Sequence, residues 1–199
     1  MSTFALIHGA GDVGRYWHLV EAELRTRGHD VVAPDLPGDD DAAELTDYAD
    51  AVVEAVGGRK DLVVVGQSFG AFTASLVPDR LPVDALVLVA GMIPSPGESP
   101  GGWWDNTGYR NAVREQAARD GGLTGNEDPH VSFYHDVPRE LAEEAMSKER
   151  APARGFHEFA VAARRVAGRA DEVRAVHRGS LLPARLPSQG GSRAAERQP

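Results

Sequence analysis

A serine stands between two glycines in Gly66-Gln67-Ser68-Phe69-Gly70, directly after the apolar run Leu62–Val65. A serine hydroxyl is a weak nucleophile until a base takes its proton, and the oxyanion it creates needs preorganised donors. A sharp strand-to-helix turn serves both needs. It lifts the hydroxyl into the open and sets the free N–H groups of a helix start beneath the reacting atom. Side chains larger than hydrogen at the flanking positions would collide with neighbouring elements. A small N-cap residue is the plainer explanation of the same serine.

A second glycine-rich stretch, His8-Gly9-Ala10-Gly11-Asp12-Val13-Gly14, follows the first apolar run. It supports two readings. Gly9, Gly11 and Gly14 spell G-x-G-x-x-G, and Asp35 follows at the distance at which a dinucleotide-binding fold places its ribose acid. The rival is a His-Gly loop that supplies one backbone N–H to an oxyanion. The rival is preferred. The His-Gly pair sits at the strand end, Asp35 lies inside the turn sequence "PDLPG", and a nucleotide fold has no need of G-x-S-x-G after a later strand.

These loops need elements to position them. Phe4–His8, Asp30–Ala33, Asp61–Val65 and Asp84–Ala90 read as short buried strands. Tyr16–Arg27, with Trp17, Val20 and Leu24 at helical spacing, Glu44–Val56 and Phe69–Val77 read as the helices between them. Buried strands alternating with helices predict an α/β fold with a mainly parallel sheet. After Gly91 a Pro/Gly-rich loop leads to helical patterns at Tyr109–Arg119, Pro138–Glu149 and Gly155–Val166, with no strand between them. The expected organisation is a core over 1–91, a helical lid over 92–167 and an irregular tail over 168–199. No sustained strand periodicity follows Val166.

With these residues in view, the chain resembles the α/β-hydrolase superfamily, in its small esterase and hydroxynitrile-lyase-like branch. "FALIHGAGDVGRYWHLVEAELRTRGHDVVAPDLPG", "LVVVGQSFGAF", "VDALVLVAGMIPSPGES" and "FYHDVPRELAEEA" carry the likeness, spanning about residues 3–165. The resemblance implies Ser68 as nucleophile, the N–H groups of Ala10 and Phe69 as oxyanion donors, and His8 with Gly9 as support of the oxyanion loop. It implies ester cleavage through an acyl-enzyme on Ser68 without a cofactor, with a C–C or C–CN lyase reaction as a variant on the same site.

In the family order an acid follows the next core strand and a Gly-His follows the last. No Gly-His occurs after Ser68 here. His177 is the best-placed substitute base, with Asp171 six residues before it; His130, His135 and His157 are weaker, and Glu98 is a candidate acid. The tail from about Gly168 carries six arginines against three acids, in a chain whose net charge is −9. That change of sign, with enrichment in Gly, Pro, Ser and Ala, is the expected mark of a truncated or frameshifted remnant that is catalytically incomplete.

Composition narrows the partners. The acidic balance argues against nucleic acid, which requires a basic face. The absence of cysteine excludes thiolate metal sites and disulfides, and no His/Asp/Glu cluster has metal-ligand spacing. No run reaches the roughly 18 apolar residues of a membrane helix, and "MSTFALIHG" has no signal-peptide pattern, so a cytoplasmic protein acting on a small-molecule ester is expected. Trp103, Trp104, Phe69, Met92 and Ile93 are the candidates for lining its pocket, with lid packing the alternative for the tryptophans.

Overall fold

Alternate residues of the strands point to opposite faces, and both faces are apolar. This is the pattern that requires helices above and below the sheet. The computed structural model describes residues 1–151 and the backbone of 173–176. Its elements are β1 (Thr3–Ile7), α1 (His18–Thr26), β2 (Asp30–Val32), α2 (Leu45–Val56), β3 (Leu62–Gln67), α3 (Gly70–Leu76), β4 (Ala85–Val89), α4 (Pro100–Asn106), α5 (Tyr109–Arg119), α6 (Pro129–Ser132), α7 (Arg139–Met146) and β5 (Val173–Val176).

The sheet is parallel throughout, in the order β2-β1-β3-β4-β5. Ala5, Ile7, Leu62, Val64, Leu86 and Leu88 face α2 and α3, where they form the main core with Val52, Val56 and Phe72. The alternate residues Leu6 and Val65 face the other way and pack with Trp17 and Val31, flanked by Phe4, Val63, Val87 and Val89. Right-handed crossovers explain this division. The chain leaves β1 towards β2 in one direction, and leaves β2 for β3 and β3 for β4 in the other. So α1 falls on one face and α2 and α3 on the opposite one. Between β1 and β3 the connections diverge, and the carboxyl ends of those two strands border the crevice where open α/β sheets bind ligands.

Four sequence expectations need correction. A strand does follow Val166: β5 pairs with β4, Val173 with Leu86 through Val176 with Val89. Four residues with an arginine among them carry too little pattern to register, and pairing with the edge of β4 organises them. The segment around Trp103 is helical, because Ser99 caps α4 by accepting from Gly102 N–H at 3.1 Å and Pro100 fills its first turn. The first helix is split, with a 3₁₀ turn over Gly14–Trp17 before α1. The change from 3.0 to 3.6 residues per turn shifts the phase, leaving Val20 43% exposed while Trp17 is buried. The Pro138–Glu149 helix is shorter, as α7. The expected helix at Gly155–Val166 lies outside the described residues. Among the described residues no helix is long and apolar enough to cross a membrane.

Candidate active site

Ser68 sits at the carboxyl end of β3 with φ +51°. A non-glycine residue in the left-handed region costs about 1–2 kcal/mol, and here the surrounding backbone enforces it. Ser68 N–H donates to Val89 O at 3.0 Å, while Ser68 O accepts from Ala71 N–H at 3.1 Å and Met92 N–H at 2.9 Å. The flanking glycines are steric necessities. A Cβ on Gly66 would stand 2.7 Å from Ala74 Cβ, and one on Gly70 would stand 2.4 Å from His8 O. The Ser68 side chain is half-buried, and its hydroxyl has no hydrogen-bond partner among the described residues.

His8 is 3% exposed, and both of its ring nitrogens are used. Leu36 N–H donates to Nε2 at 3.0 Å, so Nε2 is unprotonated and Nδ1 carries the hydrogen that reaches Gly9 O at 2.8 Å. Burial lowers the pKa of His8, against the opposing pull of its bond to Gly9. The imidazole is a neutral brace between the 8–14 loop and the turn after β2. Gly9 is buried and Ala10 is exposed at the loop tip; no described residue accepts from Ala10 N–H. Phe69 is buried in the main core, stacked on Phe72 at 5.4 Å and edge-on to Tyr48 at 6.4 Å. A small cleft lined by His8, Gly9, Ala10, Phe69, Tyr48 and Arg150 brings the two expected donor residues to one opening.

The G-x-G-x-x-G spacing has a packing explanation. A Cβ on Gly14 would lie 2.1 Å from Ala33 O, and Gly11 has φ +80°. The Asp35 carboxylate accepts from Gly14 N–H at 2.7 Å and from Arg150 Nη2 at 2.8 Å, so it ties the loop to the end of the lid rather than standing open for a ribose. Arg150 N–H also donates to Gly11 O at 2.7 Å. Gln67 fills the space beside Gly9, where a Cβ would meet its Oε1 at 2.6 Å. These loop-bracing roles of Asp35, Arg150 and Gln67 escaped the sequence reading; the 21-residue interval from Gly14 to Asp35 was visible but suggested a different partner.

The lid candidates sort by burial. Trp103 is 3% exposed, donates from Nε1 to Ile93 O at 3.1 Å and belongs to the main core with Met92. Trp104 packs edge-on against Trp103 at 5.2 Å and Tyr109 at 4.4 Å. Both tryptophans therefore hold the lid to the core. The Glu98 carboxylate accepts from Ser95 N–H at 2.8 Å and from Asn106 Nδ2 at 2.7 Å, closing its own loop. His130 lies in the first turn of α6 and His135 is exposed after it. Asp171, His157 and His177 lie outside the described residues. The register places Val176 level with Val89, and Val89 level with Gln67, the residue before Ser68. Two strand spacings separate those rungs, roughly 10 Å.

Residues 4–193 match the model of an α/β-hydrolase family. The chain belongs to the α/β-hydrolase family. That match runs past the change of composition near Gly168. Among curated proteins the chain is similar to Probable esterase PIR7A of Oryza sativa subsp. indica, 33% identical over 49% of this chain and 42% of that protein. It is similar also to Methylesterase 7 of Arabidopsis thaliana, 34% identical with the same coverage. The chain thus spans less than half the length of these relatives. Among solved structures it resembles an extracellular α/β-hydrolase from a Paenibacillus species, with a TM-score of 0.62 at 20% identity over 82% of this chain and 72% of that one. Polyneuridine aldehyde esterase gives 0.61 at 19% identity, over 79% and 71%. At these identities the structures show the shared fold.

Proposed function

We propose that the chain is a carboxylesterase that cleaves a small ester through an acyl-enzyme on Ser68. The observation that carries this reading is the strained serine between two obligatory glycines, in a family whose similar members include named esterases. In the proposed reaction Ser68 Oγ attacks the ester carbonyl as its proton passes to a base. The backbone N–H groups of Ala10 and Phe69 receive the oxyanion, and the alcohol leaves protonated. Water then releases the acid by the reverse path. His8 keeps Ala10 in place as a neutral brace. His177 is the proposed base, because it is the histidine that follows Ser68 and Asp171 in the family's order of nucleophile, acid and base.

A second reading is a catalytically incomplete hydrolase. It is favoured by the unpartnered Ser68 hydroxyl among the described residues and by Glu98, whose carboxylate closes a loop. Turnover of p-nitrophenyl acetate by the intact chain, Ser68→Ala and His177→Ala separates the readings. The esterase reading expects both variants to fall by a factor on the order of 10³ or more. Wild-type turnover equal to that of a folded Ser68→Ala sample would leave the second reading standing. Full activity in His177→Ala would remove the base assignment alone.

A further inference from the structure

A groove of about 240 Å³ lies between α1 and α7, outside the Ser68 turn. Its walls are Leu19 and Val20 on one side and Val137, Leu141 and Ala145 on the other. Leu19 is 59% exposed and Val20 43%, on a helix with no fully buried residue. The groove's volume equals that of roughly eight waters, enough for a short hydrocarbon chain and below the size of a drug-like ligand.

The groove's charge is uneven. Arg15 and Lys148 both reach it, but both are committed to Glu144, at 3.2 and 2.8 Å. His18 Nδ1 lies 2.9 Å from Arg15 O. The other acids that line it are Asp12 and Glu149. Tyr134 O–H donates to Glu149 Oε1 at 3.2 Å, and no cation among the described residues pairs with either carboxylate. Burial, with the nearby Glu149 charge second, raises the Asp12 pKa to about 6, and burial drives the Tyr134 hydroxyl well above its ordinary value, with Glu149 and Asp12 adding to it. An apolar slot lined by two acids that no described cation pairs with is complementary to one class of ligand.

We propose that this groove binds a small organic ammonium, with its hydrocarbon body between α1 and α7 and its charged head against Asp12 and Glu149. An alcohol of the same length would fill the slot and leave the carboxylates unpaired, and a carboxylate would be repelled. The site does not depend on the Ser68 chemistry.

Calorimetric titration of the full chain with hexylammonium chloride, hexan-1-ol and sodium hexanoate at low ionic strength tests this. Hexylammonium is expected to bind saturably, at least tenfold tighter than hexanol, with hexanoate showing no binding. Asp12→Asn and Glu149→Gln should each weaken hexylammonium towards the hexanol value, while Ser68→Ala leaves it unchanged. Glu149 is exposed, and removing the Asp12 charge relieves a half-buried carboxylate, so both variants are expected to fold; thermal melts verify this. The proposal is overturned by the absence of saturable hexylammonium binding, by equal affinity for hexanol, or by unchanged binding in both charge variants.

Discussion

Replacing Gly70 by alanine adds one methyl group where the fold leaves no room for it. The new Cβ would stand 2.4 Å from His8 O, 2.8 Å from Ile7 O and 3.1 Å from Ile7 Cγ2. A carbon and a carbonyl oxygen approach comfortably at about 3.3 Å, so the first contact alone requires a shift of roughly 0.9 Å. Neither side yields easily. Ile7 is paired with Gly66 in the ladder, and His8 is held through its ring to Leu36 and Gly9. Overpacking of this kind costs about 1–3 kcal/mol, and collision with backbone rather than a flexible side-chain end puts Gly70→Ala near about 3 kcal/mol. For a domain of this size each kcal/mol lowers Tm by about 2–4 °C, so a fall of roughly 6–12 °C is expected. Gly58→Ala is the matched control, because nothing lies within 4 Å of its added Cβ and its φ is not positive. Melts of the three proteins by intrinsic fluorescence, side by side, give the answer. If Gly70→Ala melts within 2 °C of the parent, the steric account of the serine turn is wrong.

Two further outcomes follow from buried groups. Asp12 has its folded pKa raised from 3.8 to about 6, so its ionised form opposes folding above that range and the penalty vanishes at low pH. Asp12→Asn should therefore raise Tm at pH 7.5 by a few degrees, about 1 kcal/mol after solvent screening of a half-buried group, with the gain gone by pH 3.5; a gain that persists at pH 3.5 would contradict the linkage. Trp103→Ala removes a core indole and its bond to Ile93 O, a loss of about 3–5 kcal/mol. Trp104→Ala, at a half-buried position, should cost markedly less. Equal melting temperatures for the two variants would argue against Trp103 as the anchor of the lid.

Much of this architecture is written in local sequence. β1, β3 and β4 are continuous apolar runs bounded by turn residues, and double-sided burial needs nothing more to be recognised. The serine turn is equally local, because its strain and its two glycines lie within five residues. α2 declares itself through Leu45, Tyr48, Ala49, Val52 and Val56, all buried on one face. Signals for α4 were also present in Ser99 and Pro100, but the glycines and prolines around them read more strongly as loop.

The remaining features depend on partners distant in the chain. β5 exists because the edge of β4 offers an unpaired ladder, and four residues cannot signal that by themselves. The exposure of Val20 depends on where a 3₁₀ turn gives way to α-helix. Asp35 reads as a turn acid or a ribose acid until Gly14 N–H and Arg150 converge on it from 21 and 115 residues away. Sequence alone determined the α/β class, the strained serine turn and the loop that faces it, since strand burial and turn geometry are short-range constraints. Tertiary structure alone decided which charges are paired, which tryptophan is core and which acids line the α1–α7 groove. Those are properties of groups brought together by the sheet, and their energies depend on distance and burial rather than on order along the chain.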